Sequence, residues 1–165
     1  MAQRDAARRL IVNADDFGRS PSINEAVIRA HREGILTSAS LMVNEPAFEE
    51  AAVLARQNPR LAVGLHLTLV CGHSTRPPES IRGLVNAAGE FSRSPVMAGF
   101  RYFAQRSLRP QLREEIRAQF RKFGGVGVPL DHLNGHLHIH LHPTVLKILL
   151  KDSELYSFKR NLSAE

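Results

Sequence analysis

Apolar and polar positions recur along this chain with two different periods, and the switches between them mark its elements. Leu10-Ile11-Val12 is a short apolar run stopped by Asn13-Ala14-Asp15-Asp16-Phe17-Gly18. That pattern predicts a buried strand followed by a loop. Ser22 with Glu25 fits a capping box, and Pro21 sits where a helix entrance tolerates it. Ile23, Ala26, Val27 and Ala30 then keep helical spacing up to a stop at Gly34. Residues 37–43 read as a second strand. A second helix starts at Glu45-Pro46, buries Phe48, Ala51, Ala52 and Ala55, and ends at Asn58-Pro59. Residues 62–69 alternate: Val63, Leu65, Leu67 and Leu69 point one way, and Gly64, His66 and Thr68 point the other.

The second half is less regular. Residues 71–90 form a Gly/Pro/Ser-rich stretch that predicts a long loop, functional or disordered. Residues 110–123 predict an amphipathic helix with Leu112, Ile116, Phe120 and Phe123 on one stripe, closed by Gly124-Gly125. Residues 126–130 are apolar and lead into a histidine run. Residues 143–150 predict the start of another helix, and 151–165 are polar and aperiodic. Strand–helix repetition of this kind predicts an α/β fold with a parallel sheet.

Composition narrows the class. The 165 residues suit one domain, and 43% hydrophobic with 23% charged residues is ordinary for a globular chain. A lone cysteine, Cys71, excludes an intramolecular disulfide framework and a Cys-rich zinc module. The net charge of +6 is local: eight Lys/Arg between Arg93 and Lys122 face only Glu114 and Glu115. Such a window suits a solvated helix face, an anionic membrane surface or acidic ligands. No nucleic-acid signature accompanies it, so no nucleic-acid partner is expected. The polar start, Met1 to Asp5, carries no signal-peptide core, and no run of ~18 apolar residues exists. The expected location is the cytoplasm, with peripheral membrane contact through residues 93–122.

Three features carry chemistry. Asp15-Asp16 falls at the C-terminal end of the first strand, where parallel α/β folds build their sites. His66 lies on the polar side of the third strand. Five of the eight histidines lie between His132 and His142, and in an extended chain these even-numbered positions share a face. Imidazole suits zinc and its neighbours. Two histidines and a carboxylate recur in metal-assisted hydrolysis, leaving a second carboxylate as general base. One alternative is an amidohydrolase-like metal pair, His136-x-His138. Another is a non-catalytic remnant that binds metal or a partner.

Four stretches in this order resemble the YdjC-like carbohydrate deacetylases, in particular the hopanoid-associated branch. They are residues 10–18, 34–40, 63–68 and 132–140, within a likeness running from about Arg9 to Leu150. The resemblance implies a distorted (β/α) barrel, a divalent metal (magnesium or zinc) and removal of an N-acetyl group from an amino sugar. For this branch, the implied substrate is an N-acetylglucosaminyl hopanoid lipid. It implies Asp16, His66 and His136 as metal ligands and Asp15 as general base. His138, His140 and Asn134 fall at supporting or substrate-contact positions, and Asn134 stands where the family often has Asp. A whole eight-stranded barrel needs about 250 residues. Residues 1–150 are therefore expected to form the first part of a truncated barrel, with 151–165 as an atypical tail. Its open strand edge suits a homo-oligomer.

Overall fold

The computed structural model describes residues 10–152 and 155. The polar start and most of the 151–165 tail lie outside the described residues.

Four parallel strands form one sheet: β1 (Asn13–Phe17), β2 (Ser38–Leu41), β3 (Ala62–Leu67) and β4 (Leu133–Gly135). Their order is β1-β2-β3-β4. Each strand lies beside the next in sequence, with no reversal of winding. This α/β arrangement is the winding of a (β/α) barrel wall rather than of a doubly wound sheet. Helices α1 (Pro21–Glu33) and α2 (Phe48–Gln57) make the first two crossovers. The third contains α3 (Pro95–Ala104) and α4 (Arg109–Gly124), and α5 (Pro143–Lys151) follows β4. Among the described residues no helix is long and apolar enough to cross a membrane.

The two sheet faces have opposite character. Ala39, Leu41, Val63, Leu65 and Leu67 belong to the hydrophobic core, with Ala14 and Leu133 packed against it. The alternate positions are Asn13, Asp15, Ser38, Ser40, Gly64, His66 and Asn134, a polar face on the same strands. That polarity explains the first departure from expectation. The run 10–12 is not the strand: Leu10 and Ile11 are both exposed, and β1 is the polar segment after them.

The second helix buries Phe48, Ala51, Ala52 and Ala55 and ends at Asn58 as expected, but it starts at Phe48 rather than at Glu45-Pro46, which form a turn before it. In α1 the expectation fails in detail. Ser20, not Ser22, caps it by accepting from the Ile23 amide, and the buried face is Asn24, Val27 and Ile28. Ala26 and Ala30 are exposed. Asn24 is buried because its amide is used on both sides. Its Oδ1 accepts from Gly18 N at 2.7 Å, and its Nδ2 donates to Ala47 O and Glu50 Oε2. Helix α3 lies inside the basic window and was not anticipated. Residues 126–130 form no strand, and β4 is only Leu133–Gly135.

The long 71–90 loop is held by α4. Glu115, fully buried, accepts from the amides of Thr75 (2.8 Å) and Arg76 (2.9 Å) and from Gln119 Nε2. Gln119 in turn brackets Thr68 through both its backbone groups. Glu115→Ala would leave two half-buried amides, those of Thr75 and Arg76, without acceptors. The expected loss is about 2–4 kcal/mol of stability, read as a lower urea midpoint with an unchanged m-value.

Candidate metal centre

All the expected site residues except His138 and His140 sit on strands or at their C-terminal ends. Register explains the pairing: β3 and β4 are parallel with His66 opposite Asn134, so the two side chains share the polar face. The Asp pair needs more than register. On a regular strand, Asp15 and Asp16 would point to opposite faces. The β1–β2 register shifts between Ala14 and Phe17, and Asp16 adopts φ +62°. This bulge turns Asp16 back toward the mouth that Asp15 faces. A left-handed Asp is less costly than most residues there.

Asp16, His66 and His136 each offer a ligand atom, and the three atoms lie within 4.8 Å of one another. Asp16 Oδ1 is 3.0 Å from His136 Nδ1 and 3.3 Å from His66 Nε2. Yet Oδ1 is buried and has no aligned hydrogen bond. The donor atoms therefore converge without satisfying one another. The His136 imidazole holds the Asp16 carboxyl well below the usual carboxylate range, against burial, which pushes it up. Arg19 Nη1 donates to its other oxygen at 2.9 Å and adds to the lowering.

The tautomer of the neutral His66 ring follows from its neighbours. Asp15 Oδ1 accepts hydrogen bonds from Asn134 Nδ2 (2.8 Å) and Asn13 Nδ2 (2.9 Å). A carboxylate cannot donate, so the amide side of Asn134 must face Asp15. Asn134 Oδ1 then faces His66 Nδ1 at 2.7 Å, so Nδ1 carries the proton. That leaves the Nε2 lone pair directed at Asp16. One Asn thus anchors Asp15 and sets the tautomer of His66. An Asp at this position would set a second carboxylate against Asp15 unless it were protonated.

A further chain runs below. Ser40 Oγ lies 2.9 Å from His132 Nε2, His132 Nδ1 lies 3.0 Å from Asp131 Oδ1, and Asn13 Nδ2 donates to both Ser40 Oγ and Asp15. Gly64 makes room for it, since a Cβ there would stand 2.5 Å from the His132 ring. Asn13, Ser40 and the bridging role of Asn134 were not recognised from sequence. The available signal was the alternation Asn13-x-Asp15 beside Ser38-x-Ser40, one polar face on two neighbouring strands.

The histidine run is not extended. After His136 the chain turns through two left-handed residues, Leu137 (φ +50°) and His138 (φ +58°), into a short 3₁₀ segment. Only His136 reaches the cluster. His138 is exposed, 6.3 Å from the His140 ring. His140 is half-buried beside Gly135, and burial lowers its pKa. His142 Nε2 lies 3.0 Å from Gly99 O and ties α5 to α3.

The YdjC-like protein family model matches residues 9–163. The chain belongs to this family. It is 41% identical over 148 residues to a carbohydrate deacetylase of Brevibacillus brevis, covering 90% of this chain and 56% of that protein. It is 40% identical to a carbohydrate deacetylase of Geobacillus stearothermophilus, covering 90% and 57%. It is 35% identical to a chitooligosaccharide deacetylase of Proteus mirabilis, covering 87% and 54%. The chain therefore spans a little over half the length of these relatives. A crystal structure from Enterococcus faecalis V583, of a candidate cellobiose-phosphate cleavage protein, matches with a TM-score of 0.73 and 28% identity. The match covers 92% of this chain and 63% of that one.

Proposed function

We propose that this YdjC-like chain carries the metal-binding half of an amino-sugar deacetylase site, and that the reaction is hydrolysis of an N-acetyl group. The observation that supports this most is Asp16 Oδ1: buried, without a hydrogen bond, and 3.0 and 3.3 Å from two imidazole nitrogens. A divalent cation satisfies all three donors at once, so the residues fit one. Two nitrogens and one oxygen favour zinc or a neighbouring transition metal over magnesium, which prefers oxygen ligands. When bound, the ion supplies Lewis-acid polarisation of the acetamide carbonyl and of water.

The chain's own residues then have separable roles. Asp16, His66 and His136 would hold the ion. Asn134 fixes the ring of His66. Asp15 is anchored through Oδ1, while its Oδ2 makes no hydrogen bond among the described residues and its side chain is 53% exposed. That oxygen takes the proton from the attacking water. His138 and His140 lie on the turn beside the site as substrate-contact positions. The His136-x-His138 alternative is disfavoured, because the left-handed turn takes His138 out of the cluster.

The finer substrate reading is a lipid-linked N-acetylglucosaminyl compound of the hopanoid type, reached by peripheral membrane contact. Its support is the outer side of α3, where Val96, Met97, Phe100 and Phe103 are exposed between Arg93 and Arg106. Parts of the basic window serve the fold instead. Arg101 bonds Gly83 O, Arg117 pairs with Asp152, and Lys122 lies over Phe48.

Acetate release from chitooligosaccharides, with and without added zinc after chelation, tests the reading. Turnover is expected only with metal and is expected to vanish in His66→Ala and His136→Ala. Acetate release that ignores both substitutions would overturn it. The same assay on a lipid-linked amino sugar in vesicles separates the finer reading from the coarser one.

A further inference from the structure

The loop after β3 contains a second built site that the metal centre does not use. Glu45, on the segment after β2, is buried, with its side chain only 6% exposed. Both its oxygens are taken by one residue. Oε1 accepts from the His73 amide at 2.9 Å, and Oε2 lies 3.0 Å from His73 Nδ1. The surroundings are shaped to permit this. Gly72 leaves the space: a Cβ there would stand 2.5 Å from Glu45 Oε1. Cys71 is held at φ +53°, and Asn44 Nδ2 donates to the His73 carbonyl. Three consecutive loop residues are thus arranged around one imidazole.

The consequence is a fixed tautomer. Since Glu45 can only accept, Nδ1 carries the proton and Nε2 is left as an acceptor. Among the described residues Nε2 has no hydrogen-bond partner, and the side chain is 45% exposed. It borders a cleft of about 380 Å³ lined also by Arg19, Glu90, Phe91 and Arg93. That volume lies within the ~300–1,000 Å³ usual for small-ligand sites. The cleft adjoins the metal centre through a shared wall, because Arg19 reaches Asp16 Oδ2 at 2.9 Å. Both lie at the C-terminal edge of the same sheet, where parallel α/β folds place their ligands.

The lining selects the ligand class. Two guanidinium groups donate, while Glu90 and His73 Nε2 accept. With Glu45 behind His73, the fixed charges balance, so neither an anion nor a cation is favoured. Alternating donors and acceptors match vicinal hydroxyls, each of which both donates and accepts. We propose that this cleft is a saccharide subsite beside the metal centre, in which His73 Nε2 accepts a sugar hydroxyl and Glu45 positions the ring. The inference rests on the deacetylase reading and deepens it.

Two measurements on the full chain keep the two separable. One is acetate release from N,N′-diacetylchitobiose with added zinc. The other is binding of the same disaccharide to metal-free protein by calorimetry. His73→Ala is expected to raise KM about five- to tenfold with kcat within twofold, and to weaken calorimetric binding by the same factor. Arg93→Ala, whose side chain is 87% exposed and so carries little folding risk, is expected to raise KM in the same direction. Turnover with a KM indifferent to His73 overturns the subsite and leaves the deacetylase reading standing. A fall in kcat at constant KM also overturns it, because His73 would then act on the reaction itself. Binding that depends on His73 without turnover supports the subsite and counts against the deacetylase reading. Absence of both binding and turnover overturns both.

Discussion

Asp16→Asn is expected to weaken divalent-metal binding about 100- to 1,000-fold. Structural zinc sites are worth roughly 10–16 kcal/mol over four ligands, so one ligand carries about 3 kcal/mol. Each 1.4 kcal/mol is a factor of ten. Asn is the right substitution here. Asp16 sits at φ +62°, a conformation Asn tolerates and Ala does not, so the loss reports ligation rather than backbone strain. Competition with a chromophoric chelator measures it directly, without any activity. Asn134→Ala should lie in between, at about 10- to 100-fold. It touches no metal, but it releases His66 from the tautomer that aims Nε2 inward. His138→Ala should change the affinity little. Equal losses at His138 and His136 would restore the two-histidine pair and sink the Asp16–His66–His136 set.

How much of this was legible in the chain depends on which periodicity a segment carries. Helix α2 was readable in its buried face and its end, because Phe48, Ala51, Ala52 and Ala55 form a clean 3.6-residue stripe with Asn58-Pro59 behind it. Strand β3 was readable because its apolar positions alternate. β1 was misplaced for a physical reason. It lines a polar face with Asn13 and Asp15, so hydrophobicity points to the exposed Leu10-Ile11 instead. Helix α3 was hidden because its apolar residues face outward as well as inward. Ala98 and Tyr102 are buried, while Val96, Phe100 and Phe103 are exposed, and no stripe stands out.

The site shows the same division. Residue types and order suffice to single out Asp15-Asp16, His66 and the 132–142 histidine run, and the family resemblance picks His136 from that run. They cannot show how two adjacent aspartates come to face one mouth, because that depends on the bulge between Ala14 and Phe17. Nor could they predict that the histidine run folds away after His136, since two consecutive left-handed residues without glycine leave no trace in the sequence. Asn134 is the sharpest case. From sequence it reads as a lost charge. In the fold it is a bridge between Asp15 and His66, a role that needs one donor and one acceptor on the same side chain.

Asp15→Asn is expected to lower kcat about 100- to 10,000-fold, the range for removing a general base, with metal affinity changed less than about threefold. The two halves of that result come from different atoms. An amide at position 15 keeps an oxygen that can accept from Asn13 and Asn134, so the scaffold around His66 stays in place. What it loses is the basicity of Oδ2, the oxygen left open to the mouth. Chelator competition and acetate release on the same preparation separate the two. A rate loss at constant metal affinity assigns Asp15 to the proton. A parallel fall in both would make Asp15 a fourth ligand, and the base would then have to be sought elsewhere on the polar face, where the Ser40–His132–Asp131 chain reaches Asp15 through Asn13.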